Sequence, residues 1–183
     1  TRIRGRYDLP INSHGTSLLF EARFGYAELV EKSAKRFDIM SSDASFAVGI
    51  TQNVWHDPRN KFDVSLIFER SRSKTELGGQ GQSFLEGPQN GRSEVSALRL
   101  LAEWNRRNAN SAFAVRTLFS WGTDWFNPTT QRGDTPDAEF FSFYAQGRGV
   151  YRFPQSGIEF RVRGDLQLTD DALLSLEQFS IGG

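Results

Sequence analysis

Apolar and polar residues alternate along most of this chain, most clearly over residues 158–169. Ile158, Phe160, Val162, Gly164, Leu166 and Leu168 take one set of positions, and Glu159, Arg161, Arg163, Asp165, Gln167 and Thr169 the other. Successive side chains of a strand point to opposite faces, so this stretch predicts a strand greasy on one side and charged on the other. It runs for about a dozen residues, where a globular strand averages about five or six, and about 9–11 tilted residues cross a bilayer. One such segment would fit a half-buried strand of a soluble sandwich equally well. Its recurrence is what shifts the balance.

Residues 1–9 alternate Ile3, Gly5, Tyr7 and Leu9 against Arg2, Arg4, Arg6 and Asp8; from Leu18, Phe20, Ala22, Phe24 and Tyr26 share a face opposite Glu21, Arg23 and Gly25. A third strand ending near Trp55 sets Phe46, Val48, Ile50 and Val54 against Ala47, Gly49, Thr51 and Asn53. A fourth sets Phe62, Val64, Leu66 and Phe68 against Asp63, Ser65, Ile67 and Glu69, then leaves the apolar slab at Arg70, Arg72 and Lys74. In the fifth, Leu98, Leu100, Ala102 and Trp104 oppose Arg99 and Glu103, and Leu101 breaks the rule. The sixth sets Phe113, Val115, Thr117, Phe119 and Trp121 against Ala114, Arg116, Leu118 and Ser120. The seventh sets Phe141, Phe143, Ala145, Gly147, Gly149, Tyr151 and Phe153 against Ser142, Tyr144, Gln146, Arg148 and Arg152. Residues 158–169 complete a set of eight.

The connections sort into two kinds. Those near 10–16, 56–60, 106–111 and 154–157 are short and rich in turn formers; those near 74–94, 122–139 and beyond 170 are long, with the charged run 31–36 intermediate. Antiparallel strands alternate direction, so the short turns gather on one rim and the long loops on the other. Outer-membrane barrels have that asymmetry, and a soluble sandwich has no reason for it. Aromatics near strand ends, Tyr7, Trp55, Trp104, Trp121, Tyr151 and Phe153, are expected in interfacial girdles. The pattern therefore predicts an all-β fold, an antiparallel transmembrane β-barrel fragment of about eight meander strands.

Composition agrees. No run of about 18 apolar residues predicts a transmembrane helix, whereas a barrel strand shows only alternate residues to lipid and keeps a polar average. Lys and Arg number 22 against 22 Asp and Glu, which leaves no nucleic-acid footprint. There are no cysteines, so disulfides and thiolate sites are excluded. No signal segment opens the chain at Thr1-Arg2-Ile3, and we expect a fragment without its true N-terminus.

The polar face carries the candidate chemistry. Arg23, Arg99, Glu103, Arg116, Arg148, Arg152, Glu159, Arg161, Arg163 and Asp165 are the expected lumen lining, with Arg2, Arg4, Arg6, Glu21 and Glu69 beside them. A wall of mixed sign lets an unfolded polypeptide slide without sticking and holds the barrel through cross-strand pairs. Any one arginine, taken alone, is an ordinary solvated pair of about 0.2–1 kcal/mol. Catalysis has little to stand on: His14 and His56 are the only histidines, both in short turns, without a serine partner or enough ligands for a metal. No enzyme activity and no cofactor are expected.

The segment Leu174-Ser175-Leu176-Glu177-Gln178-Phe179-Ser180-Ile181-Gly182-Gly183 resembles the haemolysin secretion/activation family (FhaC/ShlB type), the outer-membrane transporters of two-partner secretion. In that family such a segment leads into a lumen loop bearing Val-Arg-Gly-Tyr or Val-Arg-Gly-Phe. The stretches 68–79, 90–99 and 163–171 are similar to further motifs of the family at a strand end, a strand start and a strand.

The resemblance implies a 16-stranded barrel, monomeric when complete, with periplasmic POTRA domains before it and further strands after it. It implies a bacterial outer-membrane location, contact with outer-membrane lipid, and export without ATP of a secreted exoprotein partner such as a haemolysin or adhesin. Leu176, Glu177, Gln178, Phe179, Gly182 and Gly183 would then be the approach to the lumen loop, whose arginine motif and aspartate partner are expected beyond residue 183. A passive porin or a barrel-insertion protein of the same superfamily is the alternative, with a soluble β-rich binding module behind both.

Overall fold

The structure is a computed structural model that describes residues 1–28, 39–78, 80–83, 88, 90–130 and 135–178. Its long strands are β1 (Arg2–Pro10), β2 (Thr16–Glu28), β3 (Ile39–His56), β4 (Asn60–Leu77), β6 (Arg92–Arg107), β7 (Ser111–Thr123), β8 (Phe141–Arg152) and β9 (Glu159–Thr169). A two-residue stub, β5 (Gln80–Gly81), pairs only with the end of β4. The long strands form one antiparallel meander in chain order, and no helix is present among the described residues. The eight strands predicted from alternation are these eight. The predicted charged run 31–36 lies outside the described residues.

Strand pairing shows why alternation worked. Directly opposed residues of an antiparallel pair share a face. Tyr7, Phe20, Val48, Phe68, Leu98, Trp121 and Phe141 oppose one another in sequence across seven strands. Below them Asp8, Leu19, Gly49, Ile67, Arg99, Ser120 and Ser142 form the adjacent row of the other face. The apolar face has no second layer over most of its area: Phe20, Phe46, Ile50, Phe160 and Leu168 are all exposed.

Two details depart from simple alternation. Register shifts between Asn53 and Trp55, so Trp55 rather than Val54 joins Phe62 and Trp104 on the apolar face. Such a bulge inserts one residue and resets the pleat. Leu101 has the polar face, where it is buried with Leu19 and Ile67 and packs against Ala47 and Leu118. The strands β3, β4 and β6 also run further toward the long-loop rim than their patterns foretold. There the outer face turns polar, as in Arg72 and Glu94, and the inner face carries polar pairs such as Asp43 and Ser73, so pairing continues where the hydrophobic period has ended.

The short connections, residues 11–15, 57–59, 108–110 and 153–158, lie on one rim, and the described residues of 78–91, 124–140 and 170–178 lie on the other. At that second rim Val95 and Ala97 of β6 are buried by Ala138, Phe140, Leu173 and Leu174, with Leu176 packed against the cluster. The 124–140 loop is thereby folded onto the sheet: Thr129 donates its N–H to Glu94 O (2.9 Å), Ala138 to Thr129 O (2.9 Å) and Gly122 to Phe140 O (2.8 Å). Gly122 permits this approach, since a Cβ there would sit 1.9 Å from Ala138 O.

Candidate functional site: a charged concave wall and its inward-turned tail

The polar faces of β1 to β4, β6 and β7, together with residues 175–177, line one cavity of about 1550 Å3. A cavity walled by the same face of so many neighbouring strands means that the sheet curves with its charged side inward. Ion pairs cross this wall from strand to strand. Arg4 Nη2 reaches Glu21 Oε2 at 2.8 Å, Arg23 Nε pairs with the other oxygen of Glu21, and Arg23 Nη1 lies 3.9 Å from Glu69. Glu69 Oε2 then accepts from Arg99 Nε at 2.8 Å.

Arg99 is the hub. Its Nη1 and Nη2 donate to Glu177 Oε2 and Oε1 at 2.9 and 2.7 Å, and Nη1 also donates to Ser120 Oγ at 2.8 Å. Guanidinium and carboxylate match as two parallel donor and acceptor pairs, the strong form of charged hydrogen bond. The Arg99 and Glu177 side chains are 11 and 6% exposed. Burial of both charges is tolerable because each of the three guanidinium nitrogens has an acceptor.

Glu177 arrives there by a tight turn. The chain leaves β9, buries Leu173 and Leu174, and folds back with Glu177 N–H donating to Leu174 O at 2.8 Å. Gln178 Nε2 donates to Leu173 O (2.8 Å) and Gln167 Nε2 to Glu177 O (2.8 Å). The predicted approach residues Leu176, Glu177 and Gln178 are therefore one structure; Phe179, Gly182 and Gly183 lie outside the described residues.

The remaining predicted lining residues share this face but not this network. Glu103 and Arg116 are opposed and 3.9 Å apart. Asp165 accepts from Tyr144 Oη (2.6 Å), Gln146 Nε2 (2.5 Å) and Arg163 Nε (3.0 Å). Glu159 pairs with Arg161 at 2.5 Å. Arg148 and Arg152 are exposed, with no carboxylate within 4.0 Å among the described residues; Arg148 lies directly opposite Arg163. Sequence pattern also missed the apolar patch of Leu19, Ile67 and Leu101 within this charged wall. Its signals were Ile67, Leu101 and Leu118, apolar residues at polar-face positions.

At the short-turn rim Asp57 caps its own turn. Its Oδ1 accepts the backbone N–H of Arg59 (2.7 Å) and Asn60 (2.8 Å), and the Asn60 side-chain amide reaches both carboxylate oxygens. Those donors hold the Asp57 carboxyl below the usual range. His14 and His56 also face the cavity. No group of three His, Asp or Glu side chains suited to a metal ion occurs among the described residues.

A long antiparallel meander, apolar and unlayered outside and charged inside, defines a β-barrel wall. The family model for haemolysin secretion/activation protein ShlB/FhaC/HecB matches residues 2–183, and the chain belongs to that family. The fold is similar to that of CdiB from Escherichia coli, with a TM-score of 0.77 at 14% identity; the match covers 100% of this chain and 33% of that one. The chain thus spans about a third of the length of this solved relative. No curated protein matches it significantly in sequence.

Proposed function

We propose that this chain is part of the barrel of an outer-membrane transporter that exports a large partner exoprotein by two-partner secretion. The observation that carries the reading is the single inward face on which Arg4, Glu21, Arg23, Glu69, Arg99 and Glu177 form one ladder of opposite charges along a wide cavity. Family membership supplies the class of cargo. In the whole protein, further strands complete a monomeric 16-stranded barrel behind periplasmic POTRA domains, and export proceeds without ATP.

Within that protein the wall residues Arg23, Glu103, Arg116, Arg148, Arg152, Glu159, Arg161, Arg163 and Asp165 give an unfolded polypeptide many weak, exchanging contacts. Arg99 and Glu177 have a different role. They hold the turn 174–178 at a fixed point inside the wall.

The test uses the full-length protein with its partner exoprotein in a Gram-negative host. Secretion of the partner into the medium is the expected outcome, and proteoliposomes without nucleotide should translocate it as well. Ion conductance with no export in either system would instead favour a passive porin. A parent protein that stays soluble without detergent would exclude the membrane reading altogether.

A further inference from the structure

The outward face changes character abruptly on β4. Phe62, Val64, Leu66 and Phe68 continue as Arg70, Arg72 and Lys74, and the opposed β6 positions add Arg92. These four cations face two carboxylates, Glu94, which pairs with Arg70 (2.9 Å) and Arg72 (2.7 Å), and Glu76, which pairs with Lys74 (2.5 Å). At the same level the neighbouring outward positions are Phe24, Tyr26, Ser42 and Ala44 on β2 and β3, Ser96 on β6 and Thr123 on β7, none of them charged. The cationic patch is local, not a girdle.

Two further features adjoin it. An apolar furrow of about 760 Å3 runs over the outer faces of β1 to β4 and ends at Arg70. Gly5 and Ala22 keep its floor low, and Phe46, Phe68 and Phe126 wall it. Trp125 and Phe126 come from the long 124–140 loop, yet they fold down over the outside onto Phe68, with ring centroids 6.0 and 5.7 Å away. Phe126 and Asn127 hold left-handed backbone to do so, at φ 64° and 58°, a conformation uncommon for a bulky residue. The Arg70 guanidinium sits 5.7 Å above the Phe126 ring.

We propose that this furrow and its cationic end bind a phosphorylated acyl lipid of the outer leaflet, acyl chains against Phe46 and Phe68 and phosphate on Arg70 and Arg72. The charge argues for the occupant. Outward cations just past the hydrocarbon band, on the long-loop rim, stand at headgroup level, where an anionic headgroup is their natural partner. A planar guanidinium pair suits phosphate oxygens. A second protein copy would leave the excess positive charge unanswered, since the same patch would meet itself.

The site rests on the outer-membrane reading but not on export, and its test separates the two. The full-length protein is incubated in detergent with lipid A, with dephosphorylated lipid A, and with phosphatidylcholine, and retained lipid is read by native mass spectrometry. Folding of each variant is checked by heat-modifiable gel mobility. Lipid A should be retained at least tenfold better than either control. R70Q/R72Q should lose that preference, and F126A should weaken retention several-fold. E94Q, which frees both arginines, should strengthen it. R106Q/R107Q, at the other end of β6, should change nothing. Equal retention of lipid A by folded R70Q/R72Q and wild type, or equal retention of the dephosphorylated lipid, overturns the site while leaving the transporter intact. Failure of the wild-type protein to insert into lipid A vesicles would overturn both.

Discussion

A guanidinium that serves two carboxylates cannot be removed without cost to both. In R99Q, Glu177 keeps its burial and loses its charged donor, and of its cations Glu69 keeps only Arg23, 3.9 Å away. Breaking a buried pair from one side costs about 3–5 kcal/mol, and a wall beside an open cavity should sit near the lower end. We expect R99Q to lower the urea midpoint of the folded full-length protein and to speed hydrogen exchange at residues 174–178. Adding E177Q should recover part of the loss, with a coupling energy of about 0.5–3 kcal/mol; strictly additive effects would mean that the two groups do not act as a pair. Asp57 offers a test of the opposite rim. Its folded pKa is lowered by the Arg59 and Asn60 donors, so its contribution is complete above the ordinary carboxylate value of about 3.9 and fades as pH falls through the lowered one. The advantage of wild type over D57N in thermal melts should be constant at neutral pH and close only in acid. A gap that closes near pH 6 would assign it to another group.

Among the elements, the strands were legible because lipid or water on each face forces the choice of side chain at every second position. Legibility ended where that constraint ended. The far halves of β3, β4 and β6 lose the apolar outer face, and main-chain pairing is what shows them to be strands. The bulge at Asn53 and Trp55 left no mark in the alternation, because Val54 and Trp55 are both apolar. The folded-in rim was hidden for another reason: Val95, Ala138 and Leu174 meet across sequence gaps that no local period spans. That packing is the element-scale prediction. In G122A the new methyl would meet Ala138 O and the Phe140 ring, and overpacking costs about 1–3 kcal/mol. Leu174 is fully buried, so L174A should cost about 2–5 kcal/mol. Both should expose the 124–140 loop to protease in the full-length protein while the gel mobility of the folded barrel is kept. Protection equal to wild type would show that the loop is held elsewhere.

At the scale of the whole molecule, the meander order and the rim asymmetry could be read from loop lengths alone, but the Arg99–Glu177 anchor, 78 residues apart in sequence, could not. Closure is a separate matter. The sheet ends at β1 and β9, which pair on one side only among the described residues. An antiparallel edge strand leaves about half of its N–H and C=O groups pointing outward, which for β1 and β9 is about twenty groups in all. Each unsatisfied group costs several kcal/mol in hydrocarbon, so an open sheet is not a stable membrane species. In water the exposed rows of Phe, Ile and Leu on the outer face present a second liability. The 183-residue chain on its own should therefore aggregate in buffer, and in micelles should either oligomerise edge to edge or pair β1 with β9 in a small non-native barrel. Light scattering fixes the mass, and disulfide trapping between Gly5→Cys and Gly164→Cys, near the middle of the two edges, detects closure. A monodisperse monomer in detergent with no trapping, and with amides of both edges exchanging freely, would show that an open sheet is tolerated after all, and the cost assigned to unpaired edges would be wrong.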